Sequence, residues 1–369
     1  MSIKISNINE IKKIIDNQKI EKILLITGKN SFYKTGADKI FLGLLKEKSL
    51  KIFFKKNFLP ELSELSEILK LKKNFIPNLI IAIGGGCVMD LAKVSSVISG
   101  YKNIKKKVLN NELDKSKTKV IAIPTTAGSG AEATSNAVIY INKTKHSLEG
   151  KEIRPDYFYL FPKLILSTQK KIDASSGFDA ISQAIESIFS LKSNKQSIFF
   201  ATNALKILVK NYLLFCKSKN INNSYKMQLG ANLAGKAINI SKTIAPHAIS
   251  YPFTSMYGVP HGHAVSLSIN KILKFNYFNQ NKILDSNFNL KKRYKLVFEI
   301  TNTQNIYELD DCINLLKQKA NLTQNFVKLG INIDRDISKI LDGINEQRLK
   351  NNPVKLKVKD IPLIFKKSI

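Results

Sequence analysis

The chain has 369 residues, of which 44% are hydrophobic and 24% charged, a length and composition that favour a globular protein of two domains. No apolar run approaches the roughly 18 residues of a membrane span, and the N-terminal MSIKISNINEIKK has no apolar signal core, so we expect a cytoplasmic protein without membrane contact. The 59 basic and 28 acidic residues give a net charge of +31, but the basic residues are mostly scattered lysines. A lysine-rich surface is therefore favoured over a specific nucleic-acid interface, although an affinity for small anions is compatible with it.

The first half of the chain alternates β-type apolar runs with helical patterns. We predict strands at 22–28, 50–56, 78–83 and from 119, and amphipathic or buried helices at 61–73 and 87–99. Strand–loop–helix alternation is typical of a parallel α/β sheet, in which ligands bind at the carboxyl ends of the strands.

Helical periodicity takes over after about residue 168. Segments 176–191, 197–215 and 225–242 repeat their apolar positions at helical spacing, and the tail continues in the same manner. The predicted fold is an N-terminal α/β dinucleotide-binding domain over 1–169, followed by an all-helical metal- and substrate-binding domain over 170–369.

Two polar loops follow neighbouring strands of the predicted sheet. Gly84-Gly85-Gly86 opens a helix, where backbone N–H groups can approach a phosphate; a ligand-free βα turn is the alternative, and the run is not the GxGxxG fingerprint. The second loop, PTTAGSG (124–130), offers hydroxyls and N–H groups for a phosphate or a nicotinamide amide. Together they favour a dinucleotide site, for which the candidate residues are Gly84, Gly85, Gly86, Cys87, Asp90, Thr125, Thr126, Ser129, Thr134 and Lys145.

A group of scarce histidines points to a metal. The chain has only four, His146, His247, His261 and His263. The last three fall within 17 positions. Asp179 and Gln183 are four residues apart in a predicted helix and share one face. Two imidazoles, a carboxylate and an amide oxygen suit Fe(II), Zn(II), Mn(II) or Ni(II). The alternative is a structural histidine cluster beside a solvated glutamine.

These motifs resemble the iron-containing alcohol dehydrogenase family over about residues 20–280. The resemblance is carried by IAIGGGCVMDLAK (81–93), IPTTAGSGAEAT (123–134), GFDAISQAIES (177–187) and the PHA…YGVPHGHAV stretch (246–265). It implies a metal-dependent enzyme that interconverts a small alcohol and an aldehyde with NAD(H) or NADP(H). The implied metal is Fe(2+), with Zn(2+) or another divalent ion as the alternative.

The family pattern can be carried onto individual residues. Asp179, His247 and His261 match its metal ligands, and Gln183 stands where the family has a histidine. Tyr251 stands where a histidine often neighbours the nicotinamide. Cys87 replaces a common serine, so we interpret it as a small loop residue and not as a nucleophile.

The choice between the two nicotinamide cofactors stays open in the sequence. Gly28 stands at the end of the first long strand, where members that prefer NAD commonly carry an aspartate, and Lys29 follows it. Loss of that carboxylate removes repulsion against a 2′-phosphate, so NADP(H) is as well supported as NAD(H).

The glutamine at 183 and the segment 234–265 resemble a phosphonoacetaldehyde reductase branch, which implies reduction of phosphonoacetaldehyde to 2-hydroxyethylphosphonate. For that reaction we expect Lys242 to bind the phosphonate and His263 to relay a proton; a surface lysine and a structural histidine are the alternatives. Other readings are an enzyme for another small aldehyde or alcohol, a glycerol-1-phosphate dehydrogenase-like enzyme, and a non-catalytic nucleic-acid-binding protein. The oligomeric state is open, with a homodimer as the candidate.

Overall fold

The structure, a computed structural model, describes residues 2–114 and 118–366. The chain divides into two compact units. The first runs to Thr168 and also contains Asn220–Gln228, and the second contains Gln169–Lys219 and the residues from Leu229 onward. The first unit is built on a parallel sheet and the second is helical, which confirms the predicted fold class.

The first unit contains a parallel sheet of six strands and an antiparallel hairpin. The strands are β1 (Ile3–Ile5), β2 (Lys22–Gly28), β3 (Ser49–Lys55), β4 (Leu79–Gly84), β5 (Lys119–Pro124), β6 (Asn136–Ile141), β7 (Thr144–Glu149) and β8 (Tyr157–Tyr159). The sheet order is β1-β8-β5-β4-β2-β3, and β6 pairs with β7 in the hairpin. The four strands predicted from apolar runs are β2, β3, β4 and β5.

The helices of this unit pack on the sheet through apolar faces. They are α1 (Ile8–Asn17), α2 (Lys29–Lys34), α3 (Ala37–Leu44), α4 (Leu62–Phe75), α5 (Gly86–Val97) and α6 (Ile104–Leu109). Strand β4 is buried along its whole length because its sequence, LIIAIG, is apolar on both faces, as a central parallel strand requires.

The ends of β4 and β5 are level with each other. Gly84 is the register partner of Pro124, so the loops that follow the two strands start side by side. A Cβ at position 84 would lie 2.6 Å from Cβ of Val88 in the first turn of α5. Glycine at this position therefore lets α5 turn back directly onto the sheet.

The second unit is formed by helices. They are α7 (Lys170–Phe189), α8 (Lys195–Lys217), α9 (Ile221–Ser241, which begins in the first unit), α10 (Ala245–Tyr257), α11 (His261–Ser266), α12 (Ile269–Phe278), α13 (Leu290–Thr301), α14 (Ile306–Lys319), α15 (Ile333–Asp342), α16 (Glu346–Leu349) and α17 (Ile361–Lys366). Helix α7 is buried along most of its length and packs against α8 and α11, so polar groups on α7 lie in the interior of this unit.

Helix α8 is long and apolar. Within the described residues it is the one helix that is long and apolar enough to cross a membrane, and 39% of its most apolar window is buried. A core helix of a soluble protein meets the same two criteria, and α8 packs along α7. The helix is therefore weak evidence for a membrane span.

Candidate metal and cofactor sites

One face of α7 carries three polar side chains in the interior of the second unit. Asp179, Gln183 and Glu186 lie at positions i, i+4 and i+7, which coincide on one side of an α-helix. Their residues are 5%, 3% and 0% exposed. Nε2 of Gln183 donates a hydrogen bond of 3.2 Å to Oδ2 of Asp179. Two carboxylates in such a site require positive charge nearby.

Two histidines supply the other side of this cluster. His247 lies in α10, and His261 is the first residue of α11. One ligand atom each of Asp179, His247 and His261 lies within 4.8 Å of the others. Nε2 of His247 is 3.3 Å from Oδ1 of Asp179. The structure thus brings together three of the four metal ligands predicted from the sequence.

The fourth predicted ligand, Gln183, adds an oxygen. Its Oε1 is buried and accepts no hydrogen bond from any described residue. Such an unsatisfied buried acceptor costs about 1–3 kcal/mol. A divalent cation beside Asp179 would satisfy it, so the donor set fits a metal ion of the kind that binds nitrogen and oxygen ligands.

Glu186, a residue that was not among the predicted site residues, fixes the orientation of His247. Its Oε1 lies 2.5 Å from Nδ1 of His247, and its Oε2 accepts backbone N–H bonds from Ile244 at 2.9 Å and from His247 at 3.4 Å. With Nδ1 bound to a carboxylate, Nε2 is the nitrogen that points to Asp179, as in carboxylate–histidine–metal sites. Its position seven residues after Asp179 was the signal that could have identified it.

The two carboxylates also set the protonation of His247. Burial lowers the pKa of the imidazole, but the charges and hydrogen bonds of Glu186 and Asp179 outweigh burial and raise that pKa to about 10. The proton on the imidazole thus balances buried negative charge. A divalent cation bound to Nε2 would replace that proton.

Gly262 determines how closely α11 approaches α7. A Cβ at this position would lie 1.9 Å from the backbone oxygen of Ser175 and 2.7 Å from Cβ of Asp179. Only glycine fits, and its neighbour His261 thereby reaches Asp179. In the sequence, Gly262 belongs to the YGVPHGHAV stretch, but its role depends on the contact with α7 that the structure reveals.

The turn between α9 and α10 is held against α7. Oγ of Ser241 donates to Oγ of Ser187 at 2.8 Å, and Nδ2 of Asn351 donates to the Ser241 carbonyl at 2.9 Å. Lys242, the predicted phosphonate ligand, follows with φ of 61° and a half-buried side chain. This backbone conformation is uncommon for a residue with a side chain, and here it ends α9, where the N–H of Lys242 bonds to the Ile238 carbonyl. The turn also places His247 five residues later.

His263, the predicted proton relay, lies outside the cluster formed by the described metal-ligand candidates. Its backbone N–H donates to Oγ of Ser175 at 3.1 Å, and its Nε2 is 2.8 Å from the Thr323 carbonyl. Burial lowers the pKa of the His263 imidazole. The neutral ring donates through Nε2, and only Nδ1 is left to exchange a proton. The residue also lines a cavity of about 570 Å³ together with Lys170 and Lys171.

In the first unit, the two predicted cofactor loops lie against each other. A Cβ on Gly86 would lie 2.9 Å from Oγ of Ser129, and a Cβ on Gly85 would lie 3.6 Å from the Thr126 side chain. The backbone N–H of Thr125 bonds to the carbonyl at the end of β4. The glycines therefore leave room for two hydroxyl side chains beside the N-terminus of α5.

Lys93 ties α5 to the segment after the second loop. Its side chain is fully buried and donates from Nζ to three acceptors: the carbonyls of Ala131 (2.9 Å) and Asn136 (2.5 Å) and Oγ1 of Thr134 (2.8 Å). Thr134, a predicted cofactor ligand, thus uses its hydroxyl inside the unit. Burial lowers the pKa of Lys93 to about 8.

Asp90, Lys145 and Cys87 lie near one another on α5 and the hairpin. Burial raises the pKa of Asp90 to about 6, while the positive charges of Lys93 and Lys145 oppose that rise. Burial also raises the pKa of the Cys87 thiol to about 11. A thiol with that pKa stays protonated near neutral pH, which agrees with the prediction that Cys87 is not a nucleophile. The residue itself lies in the first turn of α5 and not in the loop before it.

Comparison with known proteins gives matches along nearly the whole chain. Residues 3–162 match the family model described as Iron-containing alcohol dehydrogenase. Residues 173–369 match the model described as Fe-containing alcohol dehydrogenase family, C-terminal. The two models cover the sheet unit and the helical unit in turn.

Two curated relatives match over part of their length. The Phosphonoacetaldehyde reductase of Streptomyces viridochromogenes is 30% identical over 211 residues, which are 54% of this chain and 53% of that protein. The 4-hydroxybutyrate dehydrogenase of Clostridium kluyveri is 32% identical over 222 residues, 57% of this chain and 58% of that protein. The matched part of the chain therefore spans little more than half the length of either relative.

A solved structure matches over the full length. Sulfoacetaldehyde reductase from Bifidobacterium kashiwanohense, crystallised in complex with NAD+, has a TM-score of 0.87 and 23% sequence identity. The match covers 100% of this chain and 96% of that one. At this identity the likeness establishes the fold.

Gly262→Ala is expected to separate α11 from α7 and remove His261 from the cluster. We predict a loss of divalent-metal affinity of more than about ten-fold, together with destabilisation of about 1–3 kcal/mol from overpacking. Equilibrium dialysis with metal analysis and urea unfolding measure the two effects. Gly43→Ala is the matched control, because a Cβ at that exposed helical position meets no atom within 4 Å. Unchanged metal binding by Gly262→Ala would contradict this account of the site.

Glu186→Gln removes the carboxylate that orients His247 but keeps the size of the side chain. We expect metal affinity to fall by about 10–100-fold, the usual effect of losing an outer-shell partner. Glu132→Gln serves as the control, since Glu132 is also buried, at 3% exposure, but lies in the first unit. If both variants bind metal equally well, Glu186 has no orienting role.

Proposed function

Since the chain belongs to the iron-containing alcohol dehydrogenase family, we propose that it is a metal-dependent, nicotinamide-dependent alcohol dehydrogenase that acts as an aldehyde reductase. The observation that carries this proposal is the buried cluster of Asp179, His247 and His261, with the oxygen of Gln183 beside it. An oxygen- and nitrogen-rich donor set without thiolate suits the polarisation of a small oxygen-bearing substrate.

We assign Asp179, Gln183, His247 and His261 as the ligands of Fe(2+), with Zn(2+) or another divalent ion as the alternative. When bound, the metal would act as a Lewis acid on the substrate oxygen. Glu186 keeps Nε2 of His247 directed at the site. Gln183 contributes an amide oxygen where the family pattern has an imidazole; this weaker donor would leave the metal a stronger Lewis acid.

The first unit is proposed to bind the cofactor. Gly85 and Gly86 lie at the N-terminus of α5, where backbone N–H groups can bind a phosphate, and Thr126 and Ser129 lie beside them. The family resemblance supports NAD(H) or NADP(H). Gly28 ends β2, so this chain lacks the carboxylate that in the family pattern discriminates against a 2′-phosphate at that position.

We propose a small anionic aldehyde as the substrate, and phosphonoacetaldehyde as the first candidate. The names of the two curated relatives each contain a compound with an acidic group, a phosphonate in one and a carboxylate in the other. Lys242 lies on the turn that leads to His247, where its ammonium group would suit such an anion. The succinate semialdehyde–4-hydroxybutyrate pair is the second candidate, because the relative named 4-hydroxybutyrate dehydrogenase matches this chain at a similar identity, 32% against 30%.

Several further assignments remain predictions. His263 is the proposed proton relay, and the hydrogen bond of its Nε2 to Thr323 leaves Nδ1 for that role. The division into a cofactor domain over 1–169 and a metal and substrate domain over 170–369 is our proposal for the roles of the two parts. We also expect a cytoplasmic location and a homodimer.

A substrate panel tests the proposed activity directly. Metal-stripped and Fe(2+)-reconstituted protein is assayed with NADH and with NADPH against phosphonoacetaldehyde, succinate semialdehyde and propanal. We expect turnover only after reconstitution and the highest kcat/KM with phosphonoacetaldehyde. Preference for succinate semialdehyde selects the second candidate, and metal-independent turnover would contradict the proposal.

In the same assay, Lys242→Gln tests whether Lys242 binds the anionic group of the substrate without taking part in the reaction step. Removal of a charge-assisted contact of about 1.5–3 kcal/mol should raise KM for the phosphonate aldehyde by roughly ten-fold or more. The effect on propanal should stay within roughly two-fold, because that aldehyde has no anionic group. Lys206→Gln, at an exposed position of α8, is the control. Equal changes of KM for both aldehydes would contradict the proposal that Lys242 binds the anionic group.

A further inference from the structure

A second cavity in the helical unit is unusually rich in lysine. Its volume is about 1130 Å³, slightly above the range of roughly 300–1,000 Å³ that is typical of small-molecule sites. Six of its sixteen lining residues are lysines, whereas Lys and Arg together make up 59 of the 369 residues of the chain. The six are Lys271, Lys274, Lys282, Lys355, Lys357 and Lys359. This concentration exceeds what the overall lysine content would place there.

Two elements present these lysines to the cavity. On α12, Lys271, Lys274 and Phe278 follow the i, i+3, i+7 spacing of a single helix face. Opposite them, Lys355 and Lys357 belong to an alternating run, VKLKVKD (354–360), in which the lysines are exposed and the intervening Leu356 is buried. Residues 354–357 are extended, which places Lys355 and Lys357 on one side, and Lys359 follows in the 3-10 turn Val358–Asp360.

Only two carboxylates, Asp310 and Asp360, face the six lysines, so the lining carries a net charge of +4. Both oxygens of Asp310 are already used, one by Lys274 at 2.9 Å and the other by Asn270 at 2.7 Å. The other acidic lining residue, Asp360, accepts the backbone N–H of Lys357. Lys355, Lys357 and Lys359 form no ion pair with a described residue, and Lys282 bonds to a neutral amide, Asn279.

A buried ammonium group lies behind the cavity wall. Lys317 is 1% exposed, and its Nζ donates to the amide oxygens of two lining residues, Asn270 at 2.7 Å and Gln324 at 3.2 Å. Burial lowers the pKa of Lys317 to about 7; the charge of Asp310 opposes this shift and the charge of Lys271 contributes to it. An anion in the cavity would offset the mutual repulsion of these cations.

The cavity also presents apolar surface. Phe278 and Leu363 line it and are 55% and 57% exposed. Large exposed apolar side chains among lysines favour a ligand with a ring or another apolar part over an inorganic anion. The amides of Asn279, Asn314 and Gln324 add hydrogen-bonding groups.

We propose that this cavity, formed entirely by residues of the second unit, binds a small polyphosphorylated ligand with a ring-bearing part, of the nucleoside triphosphate class. Its lysines match several phosphate charges, and its concave shape suits a small molecule better than a nucleic-acid strand. None of its residues belongs to the proposed metal site or to the proposed dinucleotide site. The inference therefore does not depend on the proposed activity.

The test is calorimetric titration of the full, metal-loaded chain with ATP in the presence of saturating NADH, which occupies the proposed dinucleotide site. We expect one ATP per chain. K355A/K357A/K359A should weaken ATP binding by about ten-fold or more, because it removes three charges. K12A/K13A/K39A removes three exposed lysines from the first unit and should leave ATP binding within about two-fold. No saturable ATP binding, or equal effects of the two triple variants, would overturn the proposal.

Two further probes define the ligand class. Phe278→Ala should weaken ATP binding and leave inorganic tripolyphosphate binding unchanged; identical effects on both would overturn the role of the ring-bearing part. A single-stranded oligonucleotide should not displace ATP at equal nucleotide concentration. Displacement at a lower concentration would overturn the small-molecule site in favour of a nucleic-acid surface. Circular dichroism of each variant verifies that the fold is retained.

Discussion

The close contact of α11 with α7 is the constraint on which the metal site depends. At Gly262 the backbone of α11 comes so near to Ser175 and Asp179 that a single methyl group would overlap both. Because of this approach, His261 and Asp179 can serve the same ion although they lie more than eighty positions apart in sequence.

The remaining parts of the site are positioned by buried polar contacts of the same helix. Glu186 holds His247 through the ring and through the backbone, and Ser187 holds Ser241 at the end of α9. These bonds are made in the interior of the unit, where a missing partner costs more than at the surface. Helix α7 thus carries two of the proposed ligands, Asp179 and Gln183, and in its next turn the residues that hold His247 and the end of α9. The uncommon backbone of Lys242 is held by this arrangement.

The sequence predicted more of the fold than of the site. Apolar runs identified β4 and β5 because buried parallel strands leave an unambiguous pattern, and the spacing of Asp179 and Gln183 showed a shared helix face. The spacing of Glu186 from Asp179 indicates a shared helix face but not that its partner is His247 of α10, so its orienting role was missed. Gly262 was missed for the same reason, since the atoms it makes room for come from another helix. Contacts between elements distant in sequence need the three-dimensional structure.

The central claim is that one divalent ion is held by two imidazoles and by oxygen donors, one of them from Gln183. X-ray absorption at the metal edge of the Fe(2+)-loaded chain, compared with Gln183→His, measures the number of imidazoles directly. The account predicts two imidazoles in the natural sequence and three in the variant, with the remaining ligands oxygen. Three imidazoles in the natural sequence, or spectra that do not change with Gln183→His, would contradict it.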